Sequence, residues 1–398
     1  MNAPQFADLD MSNLKEVASC LVEPLREYSA TAERERNVPR ESIKLLIDSG
    51  LLQLLQPASH GGLQMNLRSH VDVVSTIAEG CHATAWVLGV AHAHSWMLGH
   101  MSKQALDDVY GDNDNQLVAA VIGPRGKAIK QEDGSYVLSG FWPFASGNAH
   151  AKWMLLGAKV FNLADEQVDE GDLLVPADDI QRLDDWHVAG LQGTGSNSVK
   201  CSDVSVPAHR FLCLPEVMNN ASEAFKDPKA PALYKAQGAP VFNICIASSC
   251  TGIARSALKE FLKIIPAKPV MYTEHITDQW TPIQQAIGEA SAAIHAAELI
   301  MYRVADDIDS YSSRGEAMPI ELRGRIRMDL AMAPRMCRDA VQKLFSVGGA
   351  AGLSLRSPIQ LAVRNLQAIT MHGALMESSC AEAYGRILLG QEPGTPVI

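Results

Sequence analysis

The chain has 398 residues, 47% hydrophobic and 20% charged, with a net charge of −11. That length exceeds one simple core and points to two or three packed units, and the acidic balance argues against a large nucleic-acid interface, which needs clustered Lys and Arg. Eight cysteines without a CxxC pair suggest neither zinc nor a disulfide framework, and no run of about 18 uninterrupted apolar residues marks a membrane span.

The start, MNAPQFADLDMSN, is polar and acidic and lacks the features of a signal peptide, so a reducing cytoplasm is the expected location. Residues from about 12 to 110 read as helices. Pro39 stands at a first turn, Gly50 at a stop, and Pro57, Gly61 and Gly62 punctuate a loop. ATAWVLGVAHAHSWMLGH is apolar nearly all round, which predicts a buried helix. From about Leu117 the pattern becomes short runs rich in Val, Leu and aromatics, separated by Gly, Asp and Pro: LVAAVIG, GSYVLSGFWPF, WMLLGAKV, DLLVPA and NSVKCSDVSV. These predict a β domain of antiparallel hairpins. Ile283, Ile287, Ala290, Ile294, Ala297, Met301, Val304 and Ile308 then alternate spacings of four and three, the seam of a long bundle helix. A second long helix carries Pro334, where a kink is expected. A third is expected to run unbroken from Pro358 to Gly390. Arg323, Arg325 and Arg327 read as a solvated helix face. The expected class is α+β, divided at 1–115 (all-α), 116–225 (antiparallel β) and 226–398 (helical bundle).

Candidate chemistry is sparse. QAITMHGALMES, Gln367 to Ser378, reads as the middle of a buried helix. There His372 and Gly373 are out of place, since a helix core needs neither a titratable ring nor a residue that weakens helices. Taken alone, a satisfied core histidine is the simpler explanation. His92 and His94 lie about 200° apart on their helix and cannot face one site together. Ser146, in FWPFASGN, suits a turn that brings backbone close to a flat ligand, or an ordinary β-turn. GLQGTGSNSV is no dinucleotide fingerprint, because it lies within the β region.

The ordered set of segments resembles a known family. GLQGTGSNSVKCSDVSVPAHR and LFSVGGAAGLSLRSPIQLAVRN are similar to β-domain and C-terminal segments of the acyl-CoA dehydrogenase fold, with Arg364-Asn365 where Arg-Asp is usual. Where dehydrogenases can carry a catalytic Glu, this chain has His372-Gly373-Ala374. RERNVPRESIKLLIDSGLLQLLQPASHGGLQMNL, ATAWVLGVAHAHSWMLGHMSKQ and SGFWPFASGNAHAKWMLLGA narrow the resemblance. They are similar to the oxygenase component of two-component flavin-dependent monooxygenases, the group of 4-hydroxyphenylacetate 3-hydroxylase with indole, steroid-phenol and dibenzothiophene relatives.

That resemblance implies reduced FMN or FAD and O2 as cofactors, a separate NAD(P)H:flavin reductase, a homotetramer, and a small aromatic substrate oxygenated through a flavin C4a-hydroperoxide. It further implies that Trp86 walls the flavin site, that Phe144, Ala145 and Ser146 contact the isoalloxazine with the Ser146 hydroxyl near N5, and that Lys268 and Gly349 belong to the cofactor site. His94 would face the substrate and His372 the oxygen-bearing face of the flavin. Ala120 falls where a phenol-holding serine is usual, which puts a phenol in question and adds an aromatic such as indole to the expected phenol- or indole-type substrates. Two alternatives stay open: an acyl-CoA dehydrogenase with its base elsewhere, recognisable by bleaching of bound FAD with an acyl-CoA, and a flavin-free binding protein, recognisable by failure to bind flavin.

Overall fold

Local capping chemistry sets the first helices. The fold comes from a computed structural model that describes residues 13–111, 116–265, 269–395 and 397–398. Asn13 caps α1 (Leu14–Glu35) by accepting the Glu16 N–H, Asn66 caps α3 (Leu67–Ala78) through Ser69 N–H, and Ser102 caps α5 (Lys103–Tyr110) through Ala105 N–H. Each such bond satisfies a donor that helix geometry leaves unpaired, worth about 1 kcal/mol. Between α1 and α3, α2 (Arg40–Asp48) follows Pro39 and ends before Gly50, whose φ of +75° suits glycine. The fourth helix, α4 (His82–Leu98), is buried at every residue, as its uniform apolarity requires.

Among the described residues seven strands follow: β1 (Val118–Lys130), β2 (Tyr136–Trp142), β3 (Trp153–Phe161), β4 (Gln167–Pro176), β5 (Gln181–Arg182), β6 (Val199–Val206) and β7 (Phe211–Cys213). They form one sheet in the order β5-β6-β2-β1-β3-β4-β7. The expected antiparallel pattern holds with one exception: β1 and β3 pair in parallel. The chain leaves β2 on one side of β1 and crosses over to enter β3 on the other. That crossover contains Phe144 and Ser146. A second long connection, 183–198, folds back from β5 to β6 and packs its Gln192–Thr194 turn against α1 and α4. The fit is close: a Cβ on Gly193 would stand 3.0 Å from Ala32 and from Ala83.

Two short helices, α6 (Leu214–Met218) and α7 (Glu223–Lys226), lead to α8 (Gly238–Ala247) and α9 (Ser249–Ile264). The bundle continues with α10 (Thr281–Arg314), α11 (Ile320–Val347), α12 (Pro358–Thr370) and α13 (Glu377–Leu388). The expected seam of α10 is buried throughout except at Ile287, which is half-buried. The span Gly238–Ile264 is long and apolar enough to cross a bilayer, but 89% of its most apolar window is buried inside the molecule, where α8 and α9 serve the core. α11 runs unbroken past Pro334.

Two expectations need correction. The last helix is broken after Thr370, so His372 lies in a turn between α12 and α13. Met371 N–H and His372 N–H bond back three residues, to Ala368 O and Ile369 O, which tightens the helix end. His372 Nδ1 then accepts the Ala374 N–H at 3.3 Å, a local bond that competes with helix continuation, and Gly373 adds its own cost. The arginine cluster is no solvated face either. Arg327 is buried and Arg325 pairs with Asp307 and Asp329, because α11 is packed by α9, α10, α12 and α13. One continuous apolar core joins residues from the first helices, the sheet and the bundle.

Candidate functional site

The wall of the site is a stripe on α4. Past its first turn, the side chains with most accessible surface are Trp86 (7%), Val90 (9%) and His94 (7%). They stand four residues apart and share one face. His92 points the other way: its Nδ1 meets the His70 Nδ1 at 2.9 Å and its Nε2 meets the Leu51 carbonyl at 2.8 Å. His94 Nδ1 donates to the Val118 carbonyl on β1 at 2.7 Å. A carbonyl only accepts, so the proton is on Nδ1 and Nε2 carries a lone pair. Burial lowers the His94 pKa to about 4, which keeps the ring neutral near pH 7. Ala120 lies two residues beyond Val118, on the same face of β1.

Two backbone turns meet beside Trp86. Gly147 N–H donates to the Thr194 carbonyl at 3.1 Å. The buried Asn148 amide donates to the carbonyls of Ala145, Gly195 and Asn197 at 2.7, 3.3 and 3.0 Å. These bonds fasten the β2–β3 crossover to the 183–198 connection. Ser146 Oγ accepts the Trp86 indole N–H at 3.1 Å and lies 2.7 Å from Ser196 Oγ. Ser196 Oγ is in turn 2.7 Å from Thr194 Oγ1, and Thr194 Oγ1 donates to the Leu191 carbonyl at 2.8 Å. The same carbonyl takes the Trp186 indole N–H at 3.1 Å. Phe144 has a φ of +67°, uncommon for a bulky residue and costly by about 1–2 kcal/mol. Its ring is 65% exposed and meets Trp186 edge-on, with centroids 5.8 Å apart. A strained backbone that holds an aromatic ring open to solvent makes Phe144 a candidate for ligand contact.

His372 closes the group. Its ring centroid is 5.9 Å from that of Trp86. The ring is accessible to solvent, yet protein crowds it closely enough that desolvation lowers its pKa below the usual 6.5. Both facts hold for a ring that lies against Trp86 with one side open to solvent. Because Nδ1 accepts the Ala374 N–H, the neutral ring carries its proton on Nε2.

Trp86 therefore stands between Ser146, which takes its indole N–H, and His372, whose ring it meets, while His94 lies along the same helix face, about 12 Å up the axis from Trp86. Ala145 is fully buried, so its methyl faces the protein. Gly349 stands exposed on the turn after α11, with φ +75° and open space where a Cβ would be. Lys268 lies outside the described residues. Sequence reasoning passed over Thr194 and Ser196, whose signal was two hydroxyls flanking a glycine in GTGS. It also passed over the work of Asn365, which accepts the Leu191 N–H at 2.7 Å and donates to His82 Nδ1 at 3.0 Å. That residue ties the hydroxyl-bearing connection to α12, the helix that ends at His372.

Two depressions elsewhere on the surface are chemically quiet. One of about 650 Å³ contains Arg68 with Asp306, and one of about 410 Å³ contains Lys103 and His60 with Asp107; these charges already pair with one another. A flavin suits the Trp86 cleft better: flat aromatic walls, a serine hydroxyl, and an imidazole N–H converge there, and the donor set is neutral.

Two family models match the chain: the acyl-CoA dehydrogenase N-terminal domain over residues 12–110 and its C-terminal domain over residues 244–377. Among curated proteins, the flavin-dependent monooxygenase oxygenase subunit HsaA of Rhodococcus jostii (strain RHA1) is 32% identical over 381 residues, covering 92% of this chain and 95% of that one. The p-hydroxyphenylacetate 3-hydroxylase oxygenase component of Acinetobacter baumannii is 25% identical over 394 residues, covering 99% and 93%. Among solved structures, XiaF from Streptomyces sp. in complex with FADH2 and glycerol superposes with a TM-score of 0.92 at 27% identity, covering 97% of each chain.

Proposed function

We propose, for a chain that belongs to the oxygenase components of the flavin-dependent monooxygenases, that the reaction is carried out between Trp86, Ser146 and His372 on the flavin side and His94 on the substrate side. The overall reaction turns an aromatic C–H, O2 and a reduced flavin with its two electrons and two protons into C–OH, water and oxidised flavin. The flavin supplies the electrons and the activated oxygen; the residues position, exclude water and manage protons.

Trp86 and Phe144 flank the ring system and keep the cleft apolar, which slows reaction with water. With flavin bound, the Ser146 hydroxyl would accept from N5–H and hold that proton in place. His372, with its proton on Nε2, would be the hydrogen-bond donor on the oxygen side of the bound flavin. His94 offers the Nε2 lone pair to the substrate, so the substrate is an aromatic bearing an O–H or N–H donor. Ala120 brings no hydroxyl of its own, which leaves His94 as the polar anchor and fits an indole as well as a phenol. Lys268 and Gly349 are assigned to the phosphate-bearing end of the cofactor, Gly349 toward a neighbouring copy.

Reduced flavin reaches the protein from a separate reductase. The sequence holds no nicotinamide-binding fingerprint, and the relatives are named as oxygenase subunits or components. A homotetramer in the cytoplasm completes the proposal; all eight cysteines are free, in keeping with a reducing compartment.

The observation that carries this reading is the convergence of Trp86, Ser146 and His372 from three separate segments on one cleft. The test supplies the protein with a generic flavin reductase, NADH, isotopically labelled O2 and a panel of phenols and indoles. One labelled atom in the product and one in water is expected. If every aromatic is recovered unchanged while all consumed oxygen appears as hydrogen peroxide, the reading fails.

A further inference from the structure

The hydroxyl chain behind Ser146 has a direction, and the buried end sets it. Thr194 Oγ1 lies 2.8 Å from the Leu191 carbonyl, which can only accept, so the single Thr194 proton is committed there. Thr194 must then accept in its 2.7 Å contact with Ser196, so Ser196 is the donor. Ser196 has no second proton, and in its 2.7 Å contact with Ser146 it must accept. The Ser146 proton therefore points away from the cleft. Ser146 Oγ also accepts from Trp86 Nε1, an indole N–H that can only donate. Every proton in the chain runs inward, and one Ser146 lone pair remains for a ligand. Thr194 and Ser196 are buried, at 0% and 3% exposure, so water does not compete for these bonds. Reversing the direction would leave two oxygens 2.8 Å apart with no hydrogen between them, a penalty that low dielectric strengthens.

We infer that Ser196 and Thr194 are positioning residues that set the redox preference of the flavin site, by fixing Ser146 as a hydrogen-bond acceptor only. The inference rests on the reading above that N5 of the flavin meets Ser146. Oxidised isoalloxazine carries a lone pair and no hydrogen at N5; two-electron reduction places a hydrogen there. An acceptor that cannot turn into a donor bonds the reduced ring and meets the oxidised ring lone pair to lone pair. A serine free to rotate would bond both. The relay thus favours entry of reduced flavin from the reductase and release of the oxidised product.

The test measures dissociation constants for FMN and FAD, each oxidised and anaerobically reduced, on the full chain by equilibrium dialysis. The parent binds the reduced form more tightly. Ser196→Ala and Thr194→Val release the Ser146 proton and narrow the reduced-to-oxidised ratio roughly three- to tenfold, mainly through tighter binding of the oxidised form. Thr194→Ser keeps the hydroxyl and keeps the ratio. Ser146→Ala narrows the ratio by the other route, weaker binding of the reduced form. If Ser146→Ala narrows it while Ser196→Ala and Thr194→Val leave it unchanged, the relay is overturned and the placement of N5 stands. If Ser146→Ala leaves the ratio unchanged, the placement of N5 falls and takes the inference with it. Equal weakening of both forms in Ser196→Ala and Thr194→Val reports a structural role and also overturns the relay.

Discussion

At the scale of single residues, His94 and His372, the two histidines of the proposed site, carry opposite tautomers for reasons visible in their partners. The Val118 carbonyl fixes the His94 proton on Nδ1, and the Ala374 N–H fixes the His372 proton on Nε2. One ring accepts and the other donates. His94→Ala should slow hydroxylation by about a hundredfold or more, with reduced-flavin binding unchanged; a rate within twofold of the parent on every aromatic bearing O–H or N–H would remove His94 from the reaction. His372→Ala should instead lower product formed per O2 consumed by several-fold, with the difference recovered as hydrogen peroxide. Its pH dependence follows from the depressed pKa. The ring is neutral above 6.5, so coupling should be flat from pH 7 to 8. Coupling should hold through pH 6.5 and fall only at lower pH, when protonation of Nδ1 breaks the bond from Ala374. Equal coupling of parent and variant across that range would contradict the assignment. The sequence showed His372 as an anomaly but placed it mid-helix; what it could not show was the competing bond to Ala374, which depends on how the chain turns after Thr370.

At the scale of elements, α4 and α12 do the positioning, and each has a measurable weakness. His82, His92 and His94 on α4, with His100 just beyond it, are held by burial at a pKa of about 4. Each ring stays neutral when folded but takes a proton near 6.5 once unfolded. Unfolding therefore binds protons below pH 6.5, and stability present above that pH is lost as pH falls toward 4, by up to roughly 3 kcal/mol per ring. Thermal melts should show Tm falling steeply across that window; replacing His92 by Gln should make the slope shallower, and an unchanged slope would refute the cause. Asn365 joins α12 to the 183–198 connection through Leu191 and to α4 through His82. Asn365→Leu leaves two buried polar groups unpaired and should cost about 2–4 kcal/mol in chemical denaturation. A loss below about 0.5 kcal/mol would show that the clamp carries no strain.

At the scale of the whole molecule, several large apolar side chains stay uncovered in the single chain. Leu353 and Leu355 follow Gly349 on the α11–α12 turn, Leu355 at 85% exposure, and Leu389, just past α13, is 75% exposed. Such exposure is what a surface between copies of the 43.0 kDa chain would leave open in a single copy. Leu353→Glu with Leu355→Glu should lower the mass measured by light scattering and weaken flavin binding together, since Gly349 lies on the same turn. A variant that keeps the parent mass would free this surface from the interface.

The sequence by itself determined the order of helices, strands and helices, the buried α4, the α10 seam and the residue types of the cleft. These follow from apolar periodicity and turn residues, which are local. The reduced-flavin monooxygenase reading came from a family resemblance and was then matched by relatives of near full length. Tertiary structure alone decided the rest. The parallel pairing of β1 with β3, the break after Thr370, the burial of Arg327 and the run from Leu191 through Thr194 and Ser196 to Ser146 each depend on contacts between distant segments. A hydroxyl in a sequence can donate or accept; only its neighbours in space fix which it does.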